Sequence, residues 1–137
     1  MSDLATAAPG AEIGRLTAGP ITRHMLALYC GASGDHNPIH VDIDFAKAAG
    51  MPDVFAHGML SMAFLGRLVT KLAPQTELRS FGARFTSITQ LGSEITCTAK
   101  LVERFEEGGE KRARLELVAA DQKGDVKLMG DAVVALQ

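Results

Sequence analysis

From Met59 to Leu72 the chain carries apolar residues on nearly every face of a 3.6-residue period: Met59, Leu60, Met62, Ala63, Phe64, Leu65, Leu68, Val69 and Leu72. The pattern predicts one helix from His57 to about Ala73, roughly 25 Å long at 1.5 Å per residue. Apolar positions on so many faces predict a helix buried on most sides. The second half of the chain changes period. Ile95, Cys97, Ala99 and Leu101 alternate with Glu94, Thr96, Thr98 and Lys100. Ala113, Leu115, Leu117 and Ala119 alternate with Arg112, Arg114, Glu116 and Val118. These are two half-buried strands. Gly108-Gly109 and Lys123-Gly124-Asp125 supply turns. Leu78–Thr86 and Val126–Leu136 complete a run of four strands with short connections, which favours antiparallel order.

The first half predicts a short strand near Gly14–Ile21. Thr22 is placed to cap a helix over about Arg23–Gly31, with Met25, Leu26 and Tyr29 on one face. Asp42 or Asp44 is placed to cap a short helix that ends at Gly50, and Met51-Pro52-Asp53 reads as a turn. Helices followed by a run of strands give an α+β class. The apolar face of the sheet needs a cover, and the long helix is the large element available. Residues 1–10 are Ala-rich and expected to be loose. Residues 11–137 read as a single domain.

Composition narrows the function. The 137 residues carry a net charge of −2, which argues against nucleic-acid binding driven by bulk charge, and no basic run marks a membrane surface. The N-terminus lacks the pattern of a secretory signal, and the apolar helix, interrupted by Arg67, is short for a membrane span. Cys30 and Cys97 lie in no CxxC motif, so a reduced, cytoplasmic protein is expected.

The candidate chemistry lies in Ser33-Gly34-Asp35-His36-Asn37-Pro38-Ile39-His40. Gly34 admits backbone angles closed to other residues, and Pro38 pushes Asn37 toward an extended conformation. A shaped loop results, with a carboxylate at Asp35 and an imidazole at His40 able to converge on one water for proton transfer. The start of the long helix adds a second feature. Its first N–H groups have no intrahelical partner and carry partial positive charge, and Gly58 has no side chain to shield them. A carbonyl oxygen gaining negative charge fits there.

Plainer readings stand beside these. Asp35 can serve a turn alone by accepting backbone N–H bonds. A metal site is the other alternative: His36 and His40 are four apart, with Asp42, Asp44 and His57 near in sequence. Pro38 keeps the two histidines off one regular helical face, and no HExxH occurs. His57 can be a helix N-terminal residue with no chemical role, and most of the Met-rich helix is core. His24 reads as a surface residue, and Cys30 has no evident base beside it.

Tyr29-x-x-x-Ser33-Gly34-Asp35-x-Asn37-Pro38-Ile39-His40-x-Asp42, then Ala46 and Gly50, then Ala56-His57-Gly58-Met59-Leu60, resemble the MaoC-like, (R)-specific enoyl-CoA hydratase family. The resemblance is dense over residues 29–60 and looser through Arg84-Phe85 and Gly92. It implies a hot-dog fold, an antiparallel sheet wrapped around one long helix, and a dimer. It implies Asp35 and His40 as the catalytic pair, the Gly58 N–H as holder of the thioester carbonyl, and Asn37 as support for the pair. Ser33, Asn37, His57 and Met59 are the expected substrate-contacting positions. The implied substrate is a trans-2-enoyl thioester of coenzyme A or acyl-carrier protein, with no metal and no cofactor. A hot-dog thioesterase, and the active subunit of a heteromeric hydratase, remain the alternatives. Two departures bear on pocket shape: Gly66 stands where some relatives have serine, and Ile88, Leu91 and Gly92-Ser93 replace a Pro-rich Gly-Asp segment.

Overall fold

The computed structural model describes residues 4–137. Five strands form one antiparallel sheet: β1 (Glu12–Ala18), β2 (Leu78–Phe85), β3 (Ile95–Glu107), β4 (Glu110–Ala120) and β5 (Val126–Ala135). Three α-helices precede β2: α1 (Arg23–Ser33), α2 (Ile43–Ala48) and α3 (Gly58–Leu72). The alternation in the sequence is the alternation in space. Ile95, Cys97, Ala99 and Leu101 of β3, with Ala113, Leu115, Leu117 and Ala119 of β4, are all fully buried on one face. Leu65 and Leu68 of α3 pack into that face. A buried leucine contributes about 1.5–3 kcal/mol, so the sheet–helix seam is the main source of cohesion. One antiparallel sheet on one long helix is the hot-dog arrangement.

The strand order is β1-β3-β4-β5-β2. The four later strands are therefore not a simple meander. Only β3, β4 and β5 follow one another in space, while β2 crosses to pair with β5, from Leu78 opposite Val134 to Phe85 opposite Leu128. β1 closes the other edge beside β3. Both strands of the β3–β4 hairpin outrun the predicted alternation. Past a bulge between Leu101 and Glu103, β3 turns largely to solvent.

The helices start where their caps predict. The Thr22 hydroxyl accepts from the Met25 N–H, and the Asp42 carboxylate accepts from Asp44 and Phe45, which settles the choice between the two aspartates. The expectation of a helix buried on most sides needs correction. α3 buries Leu60, Ser61, Phe64, Leu65, Leu68 and Val69, while Met59, Ala63, Arg67, Thr70 and Lys71 face out. Its apolar surplus is thus partly uncovered in the single chain. Residues 1–3 of the expected loose segment lie outside the described residues. Residues 4–10 form turns, and the Arg104 guanidinium donates to the carbonyls of Leu4 and Ala7.

Gly130 of β5 faces β2 so closely that an added Cβ would overlap the Gly82 carbonyl and lie 2.8 Å from the Ala83 Cα. These are backbone atoms, which cannot turn aside. Gly130→Ala is expected to pry β2 from β5 and lower the unfolding free energy by about 1–3 kcal/mol, the usual cost of overpacking, with a lower urea midpoint. Urea unfolding of the two proteins measures it. An unchanged midpoint would show that β2 shifts freely.

Candidate functional site

The Asp35–His40 loop is built by local hydrogen bonds. α1 ends on Gly34, whose φ of 76° is left-handed, and its N–H caps the Cys30 carbonyl. The Ser33 hydroxyl donates to the Tyr29 carbonyl at 2.6 Å and accepts the Asp35 N–H at 3.1 Å. The Asp35 carboxylate accepts the Asn37 N–H at 3.2 Å, and the Asn37 side-chain oxygen accepts the Ile39 N–H at 3.1 Å. Asn37 thereby caps a single 3-10 turn, Pro38–His40, that delivers the His40 ring inward. Ser33 and Asn37, expected at the substrate, spend these polar atoms shaping the backbone under Asp35 and His40.

His40 is buried while Asp35 is exposed. The His40 Nδ1 lies 2.7 Å from the Phe55 carbonyl oxygen. That oxygen has no proton to give, so Nδ1 donates, and Nε2 is left with its lone pair whenever the ring is neutral. A carboxylate oxygen of Asp35 and one ring nitrogen from each of His40 and His57 lie within 4.8 Å of one another. The His57 ring stacks on His40 with centroids 3.8 Å apart, and the edge of Tyr29 meets it from another side at 4.8 Å. Burial, and then the neighbouring His40, push the His57 pKa below its ordinary value. Two stacked imidazoles cannot both be charged cheaply, which adds to burial in favouring a neutral His57.

His57 is the N-cap of α3, and Gly58 is its first helical residue. The Gly58 N–H has no carbonyl one turn earlier in the helix to receive it. A Cβ on Gly58 would meet Phe85 Cδ1 at 2.7 Å, so glycine lets that ring lie across the helix start. A cavity of about 400 Å³ opens there, lined by Phe55, Gly58, Phe85, Ser87, Ile88 and Leu128. Phe55 joins cavity and loop: the residue lines the cavity, and its ring meets His40 edge-on at 5.2 Å. One cavity wall is anchored from behind, where the buried Lys127 ammonium donates to the Ile88 carbonyl at 2.8 Å and to the Asp125 carboxylate at 2.6 Å. Met59, expected at the substrate, is half-exposed and is not among the residues lining this cavity.

Residues 5–122 match the family model described as "MaoC like domain". The chain belongs to that family. "3-Hydroxyacyl-thioester dehydratase Z" of Mycobacterium tuberculosis is 34% identical to this MaoC-like chain over 110 residues, covering 74% of it and 71% of the relative. Among solved structures, the R-hydratase PhaJ1 of Pseudomonas aeruginosa superposes with a TM-score of 0.84 at 25% identity, over 98% of this chain and 86% of that one. The fold also recurs in the ChsH1–ChsH2 complex of Mycobacterium tuberculosis, with a TM-score of 0.80 at 18% identity over 96% of this chain and all of that one.

Asp35, His40 and His57 are the group among the described residues whose donor atoms come together as a cation would need. His36, Asp42 and Asp44, the other residues weighed for a metal, are not in it. Carbonyl oxygens already occupy His40 Nδ1 and His57 Nε2, the latter 3.2 Å from the Asp35 carbonyl. A cation would take its imidazole ligation from the remaining ring nitrogens. Two residues that shape the site, Phe55 and Ser61, were not picked out from sequence, and a third, Cys30, was set aside there for want of a base that His57 in fact places beside it. Phe55 acts through its carbonyl, which leaves no trace in residue type. Cys30 puts its thiol 3.4 Å from His57 Nε2. Burial holds that thiol protonated, with the Asp35 charge as a lesser cause. Ser61 was detectable as a polar residue in an apolar stretch, one turn after His57.

Proposed function

We propose that this chain hydrates trans-2-enoyl thioesters and catalyses the reverse dehydration of 3-hydroxyacyl thioesters. The observation that carries the reading is the convergence of the Asp35 carboxylate and a His40 ring nitrogen beside His57, the N-cap of α3. Asp35 and His40 Nε2 hold one water and take its proton as oxygen attacks C3 of the enoyl group. Negative charge moves to the thioester oxygen, which accepts from the Gly58 N–H at the positive end of α3. The protonated member of the pair returns a proton to C2. The acyl chain lies in the cavity between Phe55, Phe85 and Ile88. Delivery of water and proton by one pair from one side makes the addition syn, and the (R) product follows from the family resemblance.

The test is loss of enoyl absorbance from a short 2-enoyl-CoA, with free thiol followed in the same cuvette. Falling absorbance without thiol is the expected result. Thiol release with the enoyl band intact would replace this reading with a thioesterase. The chain is also proposed to pair with a second copy or a related hot-dog subunit, as the uncovered side of α3 and the exposed Phe85 and Met129 near the β2 edge favour. For the chain alone, light scattering is expected to give about twice 14.5 kDa. Full activity at the monomer mass would contradict the pairing.

A further inference from the structure

We infer that His57 and Ser61 form a positioning pair: the Ser61 hydroxyl fixes the tautomer of the His57 ring, and that ring fixes both Asp35 and His40. The kinetic part of this inference rests on the hydratase reading; the tautomer itself does not. His57 is 2% exposed, and its Nε2 faces the Asp35 main-chain oxygen. Two lone pairs at 3.2 Å would repel, and the Cys30 thiol, 3.4 Å from the same nitrogen, is too weak a donor to offset that, so Nε2 carries the proton. A neutral ring has one proton, which leaves Nδ1 as a bare acceptor.

Nδ1 of His57 is buried with no hydrogen-bond partner among the described residues, and so is Oγ of the fully buried Ser61. The two residues are four apart, on one face of the first turn of α3. One lacks a donor, and the other has a hydroxyl proton to give. Two buried polar groups left open one helical turn apart are costly, and these two are complementary. A turn of the serine rotamer, or one buried water, brings the hydroxyl proton to Nδ1. The opposite tautomer would set a lone pair against the Asp35 carbonyl and an N–H in place of that acceptor.

The consequence reaches both members of the proposed pair. The Nε2 proton holds the carbonyl of Asp35, the residue whose carboxylate faces the water. The flat neutral face of the ring sets the plane of His40. His57, assigned from sequence to substrate contact, thus acts through its neighbours.

Nitrogen-15 NMR of the imidazoles in the full chain reads the tautomer directly. The expected wild-type spectrum shows His57 protonated at Nε2 and bare at Nδ1. A proton on Nδ1 overturns the inference. Ser61→Ala is expected to mix the two forms and lower kcat about tenfold, with KM within about twofold. An unchanged His57 signal in that variant also overturns it. His57→Gln keeps an amide donor near the Nε2 position and is expected to retain kcat within about tenfold of wild type. His57→Phe keeps a ring without the donor and is expected to lose about 100-fold. Equal losses in the two would reduce His57 to packing. If the His57 variants fail to fold, the wild-type and Ser61→Ala spectra still decide. A wild-type chain without hydratase activity would sink the functional reading and leave the tautomer test standing.

Discussion

Asp35→Asn is expected to lower kcat for enoyl hydration by about 10²–10⁴-fold, the range a positioned proton-transfer group supplies. The substitution is nearly isosteric, and asparagine keeps an oxygen to accept the Asn37 N–H that shapes the loop. The side chain is solvent-exposed, so the thermal midpoint should hardly move. His40→Asn is the matching variant on the other side. Its amide nitrogen stands near the position of Nδ1 and can still donate to the Phe55 carbonyl, while the proton-accepting Nε2 is gone. The same loss is expected. Because the two groups act on one water, the double variant should be about as slow as either single one. Additive losses would mean two separate roles. Near-normal turnover by either single variant would remove that residue from the chemistry.

Local signals made much of this architecture legible. The long helix and the β3–β4 hairpin were readable because each shows its period within one segment: Leu65 and Leu68 on α3, alternate buried positions on the strands. The position of β2 was not. Leu78–Phe85 has no clean alternation, and its partner was decided across more than forty residues by pairing with β5. The uncovered side of α3 was invisible for another reason. Met59 and Ala63 are apolar whether they meet the sheet, a partner or solvent. In the site, the loop was legible because Gly34, Asn37 and Pro38 each restrict or extend the backbone in a known way. The imidazole orientations were not, since the groups that set them are the carbonyls of Phe55 and Asp35, and every residue has a carbonyl.

The helix start can be tested without touching a titratable group. Proline at the first helical position is tolerated, since its missing N–H would have had no intrahelical partner. His57, with φ −58° and ψ 134°, already has the extended conformation that a following proline requires. Gly58→Pro therefore deletes one backbone donor and leaves α3 able to form. The added ring would strike Phe85, so the experiment belongs in a Phe85→Ala background, where the half-exposed ring has been removed. Gly58→Ala in the same background is the control, because it adds a Cβ and keeps the N–H. The proline variant is expected to be about 10²–10³-fold slower in kcat than the alanine variant, equivalent to about 2.7–4 kcal/mol of lost stabilisation of the thioester oxygen. The loss should fall on kcat more than on KM, since the oxygen gains its charge only as C3 is attacked. Equal rates for the two variants would mean that another group holds the oxygen, and the start of α3 would then serve only to position His57.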